Sequence, residues 1–497
     1  MMNRIFLRFR ELHWGFWLGL VVFFLFWRGN LFSGLTPVQV NMLALATLMG
    51  IWWMTEAVPL FVTALLPLAL YPVLGIMKTG QVSPNYGHHL VFLFLGGFII
   101  AIALQEWELH RRFALKTISL IGNNPRRIIL SFMFSTAALS MWISNTATTI
   151  MMLPIALAVI KQIQGEGKEN QPSRSMFGTV LLLGIAYSAS VGGIATLIGT
   201  PPNLVLSGVY SKYFPDYPEI TFVRWMIMAL PLSILLFLVI WLYLTRVVLR
   251  KSDLPAMSDR EYFVREYRKL GRMSGAQKRV LILFLVTALL WIFRADLKLG
   301  FVTIPGWPHW LGMQGKIQDS TIAVGMAILY FIFPGEGKRE TLLNWKQILQ
   351  LPWDILLLFG GGFALADGIQ KTGLGAYVGH QLQFLAHLPV WGMLFLLALA
   401  VALLTEFTSN TAVATTILPI LAAASIDMGV HPMIIMVPAT VAASCAFMLP
   451  VATPPNAIVF GSRYIRIQTM VRIGMAVILF SAIIVSTYFY FVGTSLY

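Results

Sequence analysis

Apolar positions in this chain come in long unbroken runs rather than in alternation. Residues 12–32, 59–76, 226–249 and 474–492 are almost wholly apolar. Each run approaches or exceeds the ~20 residues that a helix needs to cross a bilayer. The ~10-residue alternating segments of a membrane β-barrel are not seen. The pattern predicts an all-α polytopic membrane protein. The longest polar stretch, 250–279, mixes Arg, Lys, Glu and Asp densely and reads as a linker between two halves.

A repeat spans that linker. Residues 140–159 read SMWISNTATTIMMLPIALAV and residues 405–424 read TEFTSNTAVATTILPILAAA, identical without gaps at 8 of 20 positions. GTPPN follows at 199–203 in the first half and ATPPN at 452–456 in the second. A looser pair precedes them, VFLFLGGF at 91–98 and LLLFGGGF at 356–363. The SNT segments, 124–163 and 388–427, leave the chain on the side where it entered, which suits a helical hairpin that enters the membrane partway and leaves by the same face; two full spans would give the same charge sidedness. The double prolines are expected to break their spans. Such inverted repeats with interrupted helices are typical of secondary transporters. The expected units are N-terminal scaffold helices at 1–85, a first repeat core at 86–250 and a cytoplasmic linker at 251–278. Scaffold helices of the second half follow at 279–352, and a second repeat core at 353–497.

Charge sharpens this picture. With Arg4, Arg8 and Arg10 placed in the cytoplasm and the side alternated at each span, 27 of the 35 Lys and Arg fall inside and 8 outside. That is the positive-inside pattern, and it puts the C-terminus outside. It also accounts for the net charge of +15 without nucleic acid, leaving some attraction for anionic lipid heads. Charged residues make up only 11% of the chain and hydrophobic ones 58%. Cys445 is the single cysteine, which excludes an intrachain disulfide or a cysteine metal cluster. The first apolar run has no small-residue cleavage site behind it and is expected to be retained as a helix.

The repeated motifs also carry the candidate chemistry. At a hairpin tip the carbonyls ending one helix and the amides starting the next are free. With the side chains of Ser144, Asn145 and Thr146, or of Ser409, Asn410 and Thr411, they form a hard-oxygen site suited to Na⁺. The helix N-terminus that follows suits a carboxylate. The plainer role is N-capping; recurrence at matched sites in both halves favours the functional one. Pro201–Pro202 and Pro454–Pro455 would release the carbonyls of Gly199 and Ala452, with Thr200 and Thr453 offering hydroxyls. Ser140 and Thr405, one helical turn before the motif serines, can add an oxygen. Intramembrane carboxylates are functional suspects. Of Glu56, Glu106, Asp354, Asp367 and Glu406, the first three lie near span ends and Asp367 can pair with Lys371. Glu406, where the first half has Met141, is left without an assigned role. No HExxH, phosphate loop or nucleophile–base set is present, so an enzyme is not expected.

The doubled SNT motif, each copy followed by TPP, resembles the divalent anion:sodium symporter family, the INDY-type sodium/dicarboxylate transporters. Segments 53–76 and 92–112 resemble it as well, and the likeness covers nearly the whole chain. It implies about eleven transmembrane helices plus two re-entrant hairpins, a homodimer, and an elevator-type moving part in a bacterial inner membrane. It implies one sodium site at Ser140, Ser144, Asn145 and Gly199, and a second at Thr405, Ser409, Asn410 and Ala452. The anion would be reached by Ser144, Asn145, Thr146, Thr200 and Pro201 together with Ser409, Asn410, Thr411, Thr453 and Pro454. The implied activity is Na⁺-coupled uptake of C4-dicarboxylates such as succinate, malate and fumarate, or of related di- and tricarboxylates. Sulfate symport and Na⁺-independent dicarboxylate exchange are the alternatives, and a channel is possible in principle.

Overall fold

A computed structural model describes residues 14–29, 31–32, 34–121, 124–164, 175–249, 260–299, 302–337, 339–382 and 388–496. Arg4, Arg8, Arg10 and the 250–259 part of the linker lie outside the described residues. The rest is nearly all helical. The one sheet among the described residues is a hairpin of Leu297–Leu299 and Val302–Ile304.

Among the described residues seven helices are long and apolar enough to cross a bilayer, and five more are apolar but shorter. Helices α1 (Trp14–Arg28) and α2 (Pro37–Thr55) pack as a pair, followed by the short α3 (Leu60–Val73). Thr36 starts α2 with a capping box: its hydroxyl accepts from the Gln39 amide while the Gln39 side chain accepts from its own N–H, and Pro37 sits in the first turn. Helix α4 (His89–Glu106) leads into the amphipathic α5 (Leu109–Ile121).

The first SNT segment is a helical hairpin, α6 (Pro125–Ser140) and α7 (Asn145–Gln164), with the motif in the turn between them. It is followed by a broken helix, α8 (Met176–Ile194) and α9 (Pro201–Tyr213). Every residue of α8 after Met176 is buried. Then come α10 (Phe222–Leu242), α11 (Arg260–Lys269), which gives the linker a helix of its own, α12 (Gly275–Ile292) and α13 (Asp319–Ile332). The second half repeats the sequence of elements. Helices α14 (Trp353–Thr372) and α15 (Leu374–Leu382) precede the second hairpin, α16 (Val390–Leu404) and α17 (Asn410–Asp427). The second broken helix is α18 (Pro432–Ala443) and α19 (Pro454–Gly461), and α20 (Ile467–Leu496) closes the chain.

Two features bring the halves together. The hairpins and broken helices pack crosswise: α7 lies on α19, and α9 lies on α17. The glycine-rich pair then supplies close contacts. A Cβ on Gly361 would sit 2.6 Å from Ala64 Cα, and one on Gly362 2.4 Å from Thr415 Cγ2, so only glycine lets α14 approach α3 and the second hairpin this closely. Phe94 and Phe359, from the two copies of that motif, meet edge to face at 4.8 Å.

Candidate functional site

Each hairpin tip is closed by the same hydrogen bond. Ser140, the last residue of α6, donates its hydroxyl to Asn145 Oδ1 at 2.6 Å. Thr405, just past α16, donates to Asn410 Oδ1 at 2.6 Å. Both hydroxyl residues are buried. The bond pins the asparagine at the first position of the following helix, with its side-chain oxygen turned back toward the helix that ended.

The broken helices bring backbone oxygens to these tips. In the first half, the bare face of Gly193 lies against Asn145 Oδ1 and the Gly199 carbonyl. Ser140, Asn145 and Gly199 are thereby brought close together. In the second half Thr405 Oγ1 also lies 3.1 Å from the Ala443 carbonyl oxygen. Thr405 and Asn410 are thus joined by a carbonyl that the motif did not flag, while Ala452 is buried at the break just before α19.

The remaining motif residues divide. Ser144 is exposed and accepts from the Ala147 amide at 3.3 Å, the plain capping role. Ser409 is at the cap position of α17 and makes no side-chain capping bond. Thr146 is half-buried and Thr411 is buried. Thr200 and Thr453 are buried at the starts of α9 and α19. Thr453 accepts from the Asn456 amide at 3.3 Å, and Thr200 makes no such bond. Pro201 is half-buried and Pro454 exposed.

Asn203 and Asn456, the last residues of GTPPN and ATPPN, hold the breaks together. Asn203 Nδ2 donates to the carbonyls of Gly193, Ile194 and Thr196 at 3.2, 3.4 and 2.7 Å. Asn456 Nδ2 donates to those of Ala446 and Leu449 at 3.3 and 3.0 Å. Their recurrence beside TPP was the available signal. Nothing in the sequence marked Gly193.

Glu406 proves to be part of the second break. It is fully buried. Its Oε1 accepts from the Phe447 and Met448 amides at 2.6 and 2.8 Å, and its Oε2 from the Leu449 amide at 2.7 Å. Aligned on TPPN, Phe447 matches Ile194, the end of α8, but α18 ends four residues sooner at Ala443. The amides freed by this early unwinding are those that Glu406 accepts. In the first half the corresponding link runs from the Thr196 hydroxyl to the Met141 carbonyl. The other acidic candidates serve elsewhere. Glu56 and Asp354 are exposed. Glu106 pairs with Arg339 at 3.0 Å and Asp367 with Lys371 at 3.3 Å.

No Lys or Arg lies in residues 140–146, 195–203, 405–411 or 444–456. Among the described residues no three His, Cys, Asp or Glu are grouped to hold a metal ion. The donor set is hydroxyls, carboxamides and carbonyls, which suits a hard monovalent cation and not a transition metal.

Two curated relatives are similar over most of their length. The sodium-dependent dicarboxylate transporter SdcS of Staphylococcus saprophyticus is 41% identical over 464 residues, covering 92% of this chain and 87% of that protein. SdcS of Staphylococcus aureus strain NCTC 8325 is 43% identical over 458 residues, covering 91% and 86%. Among solved structures, the YdaH transporter of Alcanivorax borkumensis has a similar fold, with TM-score 0.56 and 14% identity over 87% of this chain and 98% of that one. MtrF of Neisseria gonorrhoeae, described among antimetabolite efflux pumps, superposes with TM-score 0.55 and 11% identity over 82% of each chain. These two likenesses concern the fold alone. A family model described as the sodium:sulfate symporter transmembrane region matches residues 10–495, and the chain belongs to that family.

Proposed function

We propose that the protein is a secondary transporter that carries a small dicarboxylate into the cell together with Na⁺, and not an enzyme. The observation that carries this reading is the matched pair of hairpin tips, each with a hydroxyl bonded to an asparagine oxygen, beside a broken helix. The SdcS relatives, named sodium-dependent dicarboxylate transporters, support the choice of cation and anion.

The chemistry follows from the donor set. With no lysine or arginine at the tips or breaks, a divalent anion must be held by neutral donors, by the N-termini of α7 and α17, and by co-bound cations. Ser140, Asn145 and the Gly199 carbonyl hold one Na⁺; Thr405 and Asn410 hold the other, with Ser144, Ser409 and the Ala452 carbonyl completing the sets. The anion lies between the tips, reached by Thr146, Thr411, Thr200, Pro201, Thr453 and Pro454. Binding of the anion without Na⁺ is then weak, which is what couples the two. Two Na⁺ balance a dicarboxylate. A third would make transport sensitive to membrane potential, at about 2.3 kcal/mol per charge per 100 mV. The hairpins and broken helices form the moving part, the other helices a scaffold, and two copies make a homodimer in the inner membrane. The N-terminus is cytoplasmic, as the basic residues support.

Uptake of radiolabelled succinate into proteoliposomes tests this, with an inward Na⁺ gradient against equal K⁺ or choline gradients. Accumulation with Na⁺ alone is expected. Uptake that ignores Na⁺ and needs internal dicarboxylate would make the protein an exchanger. Na⁺-driven sulfate uptake without succinate uptake would favour the anion in the family's description.

A further inference from the structure

The two candidate cation sites are lined by different amounts of carbon. At three matched positions the first half carries one carbon fewer: Ser140 against Thr405, Gly193 against Ala446, and Gly199 against Ala452. Gly193 is where this matters most. A Cβ placed on it would lie 2.7 Å from Asn145 Oδ1 and 3.0 Å from the Gly199 carbonyl oxygen, well inside the ~3.5–4 Å of ordinary contact. The space between two of the candidate ligands is therefore the space that Gly193 leaves empty. The Ser140 hydroxyl, 2.6 Å from Asn145 Oδ1, adds an oxygen from a third segment. The approach is mutual, since a Cβ on Gly199 would lie 2.5 Å from the Gly193 carbonyl oxygen. Neither glycine is among those with positive φ, so the backbone conformation does not demand glycine here; the space does.

Building on the sodium-symport reading, we propose that Gly193 sets the size of the first cation site and thereby its choice among alkali cations. A methyl group at this position fills the space between Asn145 Oδ1 and the Gly199 carbonyl, leaving a smaller site. Na⁺ then fits worse, and the smaller Li⁺ is penalised less. The second half accommodates Ala446 and Ala452 differently. Its helix ends four residues sooner, at Ala443, and Glu406 holds the opened loop by three amides. Residue 446 therefore does not limit the second site.

The test compares the full-length protein with Gly193→Ala and Ala446→Gly in proteoliposomes, using succinate uptake driven by Na⁺ or by Li⁺. Gly193→Ala is expected to raise the half-saturating Na⁺ concentration about tenfold, the effect of one lost ligand contact, and to raise the Li⁺-to-Na⁺ activity ratio. Overpacking lowers its melting temperature without Na⁺ somewhat, so the readout is the upward shift produced by added Na⁺, which shrinks relative to the wild type. Ala446→Gly should leave the ion ratio unchanged. If Gly193→Ala does not fold, Ser140→Thr adds a methyl group to the same site, using the residue that the second half carries, and should raise the ion ratio in the same direction. The proposal is overturned if a folded Gly193→Ala protein keeps the wild-type Na⁺ dependence and ion ratio, or if Ala446→Gly moves the ratio as far. Wild-type uptake with no cation requirement would instead overturn the symport reading itself.

Discussion

The two broken helices do one job with different parts. The first stays helical through Ile194 and unwinds only over 195–200; the second unwinds over 444–453. The first is a close-packed joint. Gly192 lies against the backbone of Ala137, Gly193 against Gly199, and Asn203 ties three carbonyls. The second is an open loop with Cys445, Ala446 and Ala452 at the corresponding positions, and its freed amides would be unpaired in a dry interior without Glu406. Buried amides without partners are costly, so a loop this long at that depth requires an acceptor. Two halves that look like copies at SNT and TPP have thus solved the helix break by opposite means, glycine contact in one and a buried carboxylate in the other.

The largest expected effect probes what the halves share. Asn145→Ala and Asn410→Ala each remove an oxygen that the same bond orients in both halves. A contact to a charged group is worth about 1.5–3 kcal/mol, and in the proposed site each asparagine serves both cation and anion, so uptake should fall on the order of 100-fold or more. Expression, oligomeric size and helicity should not change. Wild-type uptake in either variant would remove that half from the site.

Next comes the feature that separates them. Glu406→Met places the first half's residue into the second and leaves the amides of Phe447, Met448 and Leu449 without an acceptor. At roughly 1–3 kcal/mol per unpaired buried amide, the expected loss of stability is several kcal/mol, read as a lower melting temperature in detergent. Unchanged melting would mean that the loop finds other partners and that the comparison drawn from Glu406 is wrong.

The smallest effect concerns the motif serines. Ser144→Ala removes a capping bond and should cost about 0.5–1 kcal/mol of stability. Ser409→Ala removes none and should leave melting unchanged in the absence of Na⁺. Any loss of Na⁺ affinity in Ser409→Ala is then a ligand effect. Equal melting losses in the two variants would erase this distinction.

Much of this was legible in the residues. Apolar runs of bilayer length fixed the class, because hydrocarbon admits no unpaired backbone. The doubled SNT and TPP motifs located both hairpins and both breaks, since proline and small polar residues in an apolar run have few other uses. The pairing of Asp367 with Lys371 followed from helical spacing alone. Three things depended on which segments meet. The role of Glu406 needed the knowledge that α18 ends at Ala443 and leaves amides 41 to 43 residues away in sequence for it to accept. The Ala443 carbonyl at the second tip carries no side-chain signal at all. Gly193 is one glycine among 40, and only its distance to Asn145 and Gly199 sets it apart. Sequence determines what a segment can do, through local chemistry and periodicity. The tertiary structure decided which oxygens share a site, because that depends on contacts between residues distant along the chain.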